Sequence, residues 1–317
     1  MKTITQFVRQ GIKDPSELQG ALQTAMQLEF STIPPYLCAE WSIKDGEDPD
    51  GVGMKIHAIV IQEMYHFALV GNMLSAIGGT PKIANPGFLP TYPTHKLPGD
   101  IYQELPVDLQ PLSNEQLEVF MQIEKPEFPP VEVAALRAAA APATIGEFYT
   151  ALSDAFQKLS PNINQNAYAI EWPPDVFRIK SVGDAREAID KTIKGEGEGA
   201  PGDPDQPGNP NQLAHYYVFK EISIGNELKF DPTIKKLVPI PGKRLRFPGT
   251  SPFASSTATP NPSTAFNKLL SQLFTDLEAC WTNGANVGVA IGDMINLQEQ
   301  GRDLIGRGIR PGFGWAG

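Results

Sequence analysis

A glutamate and a histidine lie three residues apart within the segment 56–77, IHAIVIQEMYHFALVGNMLSAI. They share a stripe with apolar residues that recur every three or four positions, a period typical of the buried face of an amphipathic helix. The stripe consists of Ile56, Ile59, Glu63, His66, Val70, Met73 and Ile77. Because a buried carboxylate needs a charged or hydrogen-bonding partner, and because side chains three residues apart share a helical face, Glu63 and His66 predict a metal-binding face.

A Glu-x-x-His pair alone is a weak signal, since a surface glutamate and a hydrogen-bonded core histidine give the same letters. The preceding helix strengthens it, because Glu29 also lies in an otherwise apolar seam. Pro34-Pro35 is expected to kink or locally unwind this helix one turn after Glu29. Glu40 lies near the helix end, where we expect it to be solvated.

The spacing of the two helices indicates that their polar groups meet. The segment 45–53, DGEDPDGVG, is rich in helix-breaking residues and predicts a turn between antiparallel helices. Glu29 lies about 22 Å before this turn and His66 about 21 Å after it, at the helical rise per residue. The two side chains are therefore expected at the same height of the hairpin.

A second hairpin is predicted from helices at about 143–159 and 183–196. Glu147 lies beside the apolar seam of the first helix, so the pattern alone favours a surface position. Glu196 continues an apolar stripe of the second helix, and for this reason it is preferred to Glu198 as a candidate ligand. Glu147 and Glu196 both lie roughly 13 residues from the connection, about 20 Å along a helix, which repeats the height match of the first hairpin.

The remaining segments read as loops and helices in alternation. Residues 195–209 are rich in glycine and proline and predict a flexible loop, after which a helix carries His215 on an apolar stripe. Residues 80–112 predict an extended loop. Residues 231–262 predict an irregular connection, and a single long helix is expected from 263 to about 300.

Charge and composition restrict the partners and the compartment. The net charge of −10 and the pI near 5.0 argue against nucleic acid and anionic membrane as partners. No apolar stretch is long enough to span a bilayer, and the first 20 residues lack the apolar run of a signal peptide. Cys38 and Cys280 form no Cys-x-x-Cys motif. One disulfide remains open, but a reducing cytoplasm is the simpler prediction.

Six side chains are candidate metal ligands: Glu29, Glu63, His66, Glu147, Glu196 and His215. In a four-helix bundle with a dinuclear carboxylate centre, two helices each supply a Glu and two others each supply a Glu-x-x-His. The first half of the chain fits this template. The second half departs from it, because Glu196 and His215 are 19 residues apart, and a loop of that length needs a functional reason.

Four blocks in order resemble a known family. They are LEFSTIPPYL (28–37), QEMYHFALVGNMLSAIGGTP (62–81), KGEG (194–197) and LAHYYVFKEI (213–222). They are similar to the ferritin-like domain of iminophenyl-pyruvate dimer synthases, which act in the bacterial violacein and indolocarbazole pathways. The similarity covers most of residues 15–230 and the last helix. This chain lacks the large additional regions of the pathway synthases, so their particular reaction is not transferred.

The resemblance implies an all-α fold: a ferritin-like four-helix bundle with long irregular loops and an additional C-terminal helix. It places all six candidates at metal positions, and it raises Glu147 above its standing from pattern alone. The expected organisation is a bundle at 1–230, a connection rich in proline, serine and glycine at 231–262, and a C-terminal helix at 263–317 packed on the same domain.

The leading functional expectation is a metal-dependent oxidase or oxygenase that acts on a small organic molecule with dioxygen. Carboxylate and imidazole ligands suit two iron ions, although manganese or zinc could occupy the site. Tyr36 or Tyr65 would supply hydrogen bonds or electrons, and loops 80–112, 160–181 and 195–211 would shape a substrate pocket. The alternatives are metal storage, which the long loops disfavour, and a non-catalytic module. Oligomerisation is left open.

Overall fold

Two long helices joined by a short turn form the centre of the protein, as the sequence predicts. Helix α2 spans Pro15–Trp41 and helix α3 spans Val52–Ala76. Glu29 contacts His66, and Thr32, further along α2, contacts Glu63, which comes earlier on α3. The two helices are therefore antiparallel. All seven residues of the predicted α3 stripe are buried, which confirms the helical seam.

The computed structural model describes residues 2–126, 143–197, 205–206, 209–231, 233–234, 236–255 and 261–316. Apart from α2 and α3, the elements are as follows: α1 Ile4–Gln10, α4 Asn114–Ile123, α5 Ile145–Leu159, α6 Val182–Glu187, a π-helix Ala188–Ile193, α7 Lys194–Glu196, β1 Asp205–Gln206, β2 Asn209–Leu213, α8 His215–Ile224, β3 Asn226–Asp231, β4 Lys236–Arg244, α9 Thr264–Asn283 and α10 Val287–Gly306. This mostly helical architecture confirms the all-α prediction.

The two prolines of α2 lie inside a continuous helix rather than at an unwound turn. Proline has no N–H and releases the carbonyl one turn before it. Pro35 releases the carbonyl of Ser31, and the Tyr92 hydroxyl donates to this oxygen at 2.7 Å. Because the released group is satisfied, α2 continues past Glu29 to Trp41.

A helical run with a change of pitch leads to Glu196. Helix α6 passes into the π-helix Ala188–Ile193 and then into α7, which ends at Glu196. π-Helical turns occur mostly as short insertions in α-helices and often at functional sites. The run confirms the predicted helix to Glu196 and shows that its last turns are not regular.

Several elements differ from the sequence prediction, among them β1 and the start of β2, which lie in the predicted flexible loop 195–209. The segment 231–262 contains strand β4, which pairs antiparallel with β3, so it is not wholly irregular. The expected single C-terminal helix is two helices, because Gly284 adopts φ +73° and ends α9, a backbone conformation that glycine adopts without strain. A first helix, α1, was not predicted, although Thr3 and Gln6 form a capping box at its start.

Glu40 and the cysteines also have defined positions. Glu40 is buried rather than solvated, and its carboxylate accepts from His57 Nδ1 and from Arg302, each at 3.2 Å. The hydrogen bond to Glu40, together with the negative charge of that carboxylate, raises the pKa of His57. Cys38 and Cys280 are both buried free thiols. Among the described helices, none is both long and apolar enough to cross a bilayer.

Asn72 of α3 ties the loop 170–177 and helix α9 to the bundle. Its side-chain amide donates to the carbonyls of Ile170 at 2.7 Å and Phe177 at 3.0 Å. Its oxygen accepts from the Ile170 amide at 2.9 Å and from the Trp281 indole at 2.8 Å. All four hydrogen-bonding sites of one buried side chain are thus used.

Asn72→Ala is expected to destabilise the protein by about 2–4 kcal/mol, because it leaves several buried polar groups without partners. Urea denaturation followed by circular dichroism measures this loss. Asn85→Ala is the control, since the Asn85 side-chain amide donates an exposed hydrogen bond to the Lys82 carbonyl. Equal stability of the two variants would contradict the role of Asn72.

Candidate metal centre

Two groups of three buried side chains meet between the helices. Within each group, one potential ligand atom from every residue lies within 4.8 Å of the others. The first group is Glu29, Glu63 and His66, and the second is Glu63, Glu124 and His215. All five residues are at most 1% exposed. Glu63 belongs to both groups and therefore lies between two potential metal positions.

Each of the three carboxylates has one oxygen that accepts a hydrogen bond from a neighbouring hydroxyl. The pairs are Tyr149 to Oε1 of Glu29, Thr32 to Oε2 of Glu63 at 2.9 Å, and Tyr36 to Oε1 of Glu124 at 2.6 Å. These bonds fix the orientation of each carboxylate plane. The second oxygen of each group is left for a different partner.

The second oxygens of Glu29, Glu63 and Glu124 are buried and make no well-directed hydrogen bond within the described residues. They face imidazole nitrogens instead. Glu63 Oε1 lies 3.0 Å and Glu124 Oε2 lies 3.4 Å from Nδ1 of His215. Glu29 Oε2 lies 3.5 Å from Nδ1 of His66. Several lone pairs therefore converge on the same interior space.

Each of the two imidazoles is oriented by a hydrogen bond at Nε2. His66 Nε2 lies 3.3 Å from Oε2 of Glu196, and His215 Nε2 lies 3.0 Å from Oε1 of Gln62. Carboxylate and amide oxygens only accept hydrogen bonds, so each Nε2 carries the hydrogen. Each Nδ1 then faces the carboxylates and can offer its lone pair to a metal, with the orientation that outer partners give to metal-binding histidines.

The two outer partners differ in charge. Glu196 places a carboxylate behind His66, whereas Gln62 places a neutral amide behind His215. Gln62 is itself held by Gln206 of β1, whose side-chain amide donates to the Leu213 carbonyl at 3.1 Å. The segment between Glu196 and His215 thus contains Gln206, which supports the hydrogen-bond partner of His215.

Gly197 lies directly against both imidazole rings. A Cβ atom at this position would lie 3.1 Å from Nδ1 of His215 and 3.4 Å from Cε1 of His66. The two rings are nearly parallel, with centroids 5.8 Å apart. Glycine at position 197 therefore leaves the space beside the ligand nitrogens open.

The pKa values of His215, His66 and Glu63 are all shifted towards the protonated form. Burial by itself would lower the pKa of His215, but the negative charge of Glu124 and the close approach of the Glu124 and Glu63 carboxylates to Nδ1 raise it to about 9. Burial also opposes protonation of His66, yet the hydrogen bond to Glu196 and the nearby Glu29 carboxylate raise its pKa well above the ordinary value. Burial and the charge of Glu124 raise the pKa of Glu63. Each shift reduces the net negative charge of the interior.

The metal-free protein is expected to lose stability as the pH rises from about 6.5 to about 9. A raised folded-state pKa means that protonated His215 stabilises the fold below its unfolded pKa, and that this contribution disappears above about 9. The raised pKa of Glu63 acts in the same direction. Urea denaturation of chelator-treated protein should show a loss on the order of 2 kcal/mol. Higher stability at pH 9 than at pH 6.5 would contradict this.

Comparison with known proteins identifies the family. A family model described as Ferritin-like matches residues 22–224. The chain belongs to the ferritin-like family. A solved structure of a ferritin-like protein from Caulobacter vibrioides matches with a TM-score of 0.66 and 22% identity, over 93% of this chain and 96% of the other. That similarity shows the ferritin-like fold. A search of curated proteins finds no match.

Within this ferritin-like bundle, five of the six predicted ligands lie together. Glu29, Glu63, His66 and His215 belong to the two groups, and Glu196 contacts the far nitrogen of His66. Glu196 therefore supports a ligand in the described geometry rather than joining either group. The alternative, Glu198, lies outside the described residues.

The structure does not bring Glu147 to the centre. It is the third residue of α5, and its carboxylate accepts from the Thr144 backbone N–H at 2.8 Å in a capping box. A side chain engaged at the helix start satisfies backbone donors there. The pattern beside the seam favoured a position outside the centre, whereas the height match with Glu196 and the family resemblance placed Glu147 among the candidate ligands.

Glu124 is a candidate ligand that the sequence prediction missed. It directly follows α4 and is fully buried, with its Oε2 facing His215. A signal existed, because Leu117, Phe120 and Glu124 follow the three-to-four spacing that singled out Glu63. Helix α4 has only ten residues, so the template of four long helices does not point to the position at its end.

The two predicted tyrosines have different positions. Tyr36 is fully buried and donates to Glu124, so its hydroxyl lies next to the centre. Tyr65 is partly exposed, and burial together with the negative charges of Asp175 and Glu196 raises its pKa. Of these two tyrosines, Tyr36 is the one whose hydroxyl donates to a residue of the two groups within the described chain.

Proposed function

We propose that this ferritin-like protein is a metal-dependent oxidoreductase with a two-ion carboxylate centre, which acts on a small organic molecule with dioxygen. Glu29 and His66 would hold one ion, Glu124 and His215 would hold the other, and Glu63 would bridge them. Oxygen-rich ligand sets with imidazole suit iron and manganese, and no thiolate belongs to either group. Iron is the proposed metal.

The unsatisfied atoms are the observation that supports this proposal. Three carboxylate oxygens and Nδ1 of His215 are buried without a well-directed hydrogen bond in the described residues, although each of these side chains is held from its other side. Buried polar atoms are rarely left unpaired. Divalent cations would satisfy these atoms and neutralise the carboxylates together.

The surrounding residues position the ligands and exclude water. Thr32, Tyr36 and Tyr149 orient the three carboxylates, and burial keeps bulk water from the ligand atoms. When bound, redox-active ions would supply electrons and Lewis acidity for the reaction of dioxygen. The Tyr36 hydroxyl, 2.6 Å from Glu124, is placed to donate a proton or hydrogen bond at Oε1 of that carboxylate.

The proposed type of substrate rests on the sequence blocks that contain the ligands. These blocks resemble the ferritin-like domain of iminophenyl-pyruvate dimer synthases, which act on small molecules in secondary metabolism. The resemblance supports an organic substrate over iron storage. We propose a related role in secondary metabolism without assigning the dimer synthase reaction.

Anaerobic loading with ferrous iron tests the proposal. We expect about two irons per chain by elemental analysis, and consumption of dioxygen when the loaded protein is exposed to air. Iron binding without dioxygen consumption would indicate a metal-binding module without oxidase activity. Failure to bind iron, manganese or zinc would contradict the metal centre itself.

A further inference from the structure

A cavity of about 330 Å³ lies against faces of α2 and α3 that do not carry the candidate metal ligands. Its walls come from α2, α3, α9 and α10, from Phe313, and from loop residues between 170 and 176. None of the five residues in the two ligand groups lines it. On α3 the two sites use different faces, since Glu63 and His66 point to the centre whereas Met64, Phe67 and Ala68 line the cavity.

The size of the cavity exceeds ordinary packing defects. Protein interiors are close-packed, and voids larger than a water molecule are few. Pockets for small molecules begin at about 300 Å³ and are mostly apolar with a small number of polar groups. This cavity meets both criteria for a site that holds a small molecule.

The walls favour an aromatic occupant. Aromatic side chains surround the space, including Phe30, Phe67 and Phe274, and Met64 and Met294 also line it. Aromatic rings pack on one another in edge-to-face and offset arrangements, and methionine sulfur makes favourable contacts with rings. Phe30 and Phe274 already form such an edge-to-face pair, with ring centroids 4.8 Å apart.

The polar groups at the walls favour an occupant with an oxygen acceptor. Trp41 is 4% exposed, and its indole N–H is buried without an acceptor within the described residues. Tyr65 and Gln298 add further groups that can donate. No aspartate or glutamate is among the lining residues of the described chain. The nearby Glu40 is already paired with His57 and Arg302, so a cation finds no free carboxylate.

The exposed rim supplies a route for entry. Trp172 is 57% exposed and Ile295 is 54% exposed, and both line the cavity. Exposed apolar side chains that adjoin an apolar groove are typical of ligand-binding sites. Both would contact a molecule that passes between the loop at 170–176 and α10.

We propose that this cavity is a second binding site, for a neutral or anionic aromatic molecule with a carbonyl or carboxylate group. The site is independent of the metal proposal, because its walls contain none of the proposed ligands. The aromatic body lies among the phenylalanine and methionine side chains. The oxygen acceptor pairs with a donor at the wall, for which Trp41 is the buried candidate without a partner.

Fluorescence titration of the metal-free protein with 1-anilinonaphthalene-8-sulfonate tests the site. We expect one saturable site per chain and displacement of the probe by naphthalene-2-carboxylate. Naphthalen-2-ylmethylammonium should displace it at least about tenfold more weakly, since a cation cannot use the donors. Equal displacement by the cation would overturn the assigned ligand class.

A substitution that fills the cavity tests the site, and the same kind of substitution outside the cavity is its control. Ala68→Phe places a ring in the cavity and should weaken probe binding at least about tenfold, whereas Ile224→Phe, at a 40% exposed residue outside the lining, should leave it unchanged. Should Ala68→Phe fail to fold by circular dichroism, Ile61→Trp replaces it. Undiminished binding to a folded, filled variant would overturn the site.

The indole donor is tested separately. Trp41→Phe keeps an aromatic ring and removes the N–H, so affinity for naphthalene-2-carboxylate should fall about five- to tenfold, the effect of one hydrogen bond. Affinity for naphthalene, which has no acceptor, should be unchanged. A fall of equal size for both ligands would contradict the hydrogen bond to Trp41.

Discussion

Replacement of Glu63 by glutamine is expected to abolish binding of both metal ions. Glu63 is the residue shared by the two ligand groups, and glutamine keeps its shape while an amide replaces the anionic carboxylate. Each position would then lose its bridging anion. We expect the metal content to fall from about two ions per chain to near zero after dialysis, measured by elemental analysis.

The same substitution should remove the effect of metal on stability. A ligand at 100 times its dissociation constant stabilises the folded state by about 2.7 kcal/mol, so added metal should raise the melting temperature of the wild-type protein but not of Glu63→Gln. Glu40→Gln is the control, because Glu40 is a buried glutamate outside the centre. Equal metal-dependent shifts in both variants would contradict a bridging role for Glu63.

Glu124→Gln and Glu147→Gln are expected to give opposite results. Glu124 belongs only to the second group, so its substitution should remove one ion and leave the other on Glu29, Glu63 and His66. Glu147 lies in the capping box of α5, so its substitution should leave both ions in place. Metal content measured by elemental analysis distinguishes the two outcomes.

Stability provides the second measurement for this pair. Glu147→Gln should cost at most about 0.5–1 kcal/mol, since glutamine also occurs at the third position of a capping box. Glu124→Gln should abolish much of the stabilisation that added metal gives. Its effect on the stability of the protein without metal should be smaller. If Glu147→Gln lost an ion and Glu124→Gln lost none, Glu147 rather than Glu124 would be a ligand. That result would contradict the assignment of Glu124 and agree with the ligand set implied by the family resemblance.

The first half of the centre could be predicted because its determinants are local. The seam that contains Glu63 and His66 follows from helical periodicity within one segment. The turn at 45–53 is short, so it fixes which residues of α2 and α3 lie opposite one another. For this reason the height match of Glu29 and His66 corresponds to an actual contact of 3.5 Å.

The second half depends on contacts that periodicity does not encode. Helix α4 reaches the centre only after the long segment 80–112, so the position of Glu124 is set by tertiary packing. The height match of Glu147 and Glu196 was not sufficient, because Glu147 projects beside its seam and caps α5. The pairing of β3 with β4 likewise depends on register between segments of weak alternation.

One missed feature did have a local signal. Asn283 and Gly284 interrupt the pattern of the last helix, and glycine just after a helix end is the commonest terminator. Gly284, Gly288 and Gly292 lie at four-residue spacing, a pattern that also indicates close contact with a neighbouring helix. The close approach to a helix is at Gly301, where an added Cβ would lie 2.1 Å from the Trp41 ring of α2, whereas an added Cβ at Gly284 would lie 2.6 Å from the Tyr168 ring.

X-ray anomalous scattering from crystals of the iron-loaded protein, measured at the iron absorption edge, tests the central claim most directly. Two peaks per chain are expected, one among Glu29, Glu63 and His66 and the other among Glu63, Glu124 and His215. A loaded protein whose anomalous peaks lie elsewhere, or a protein that takes up no metal while these side chains remain buried, would contradict it.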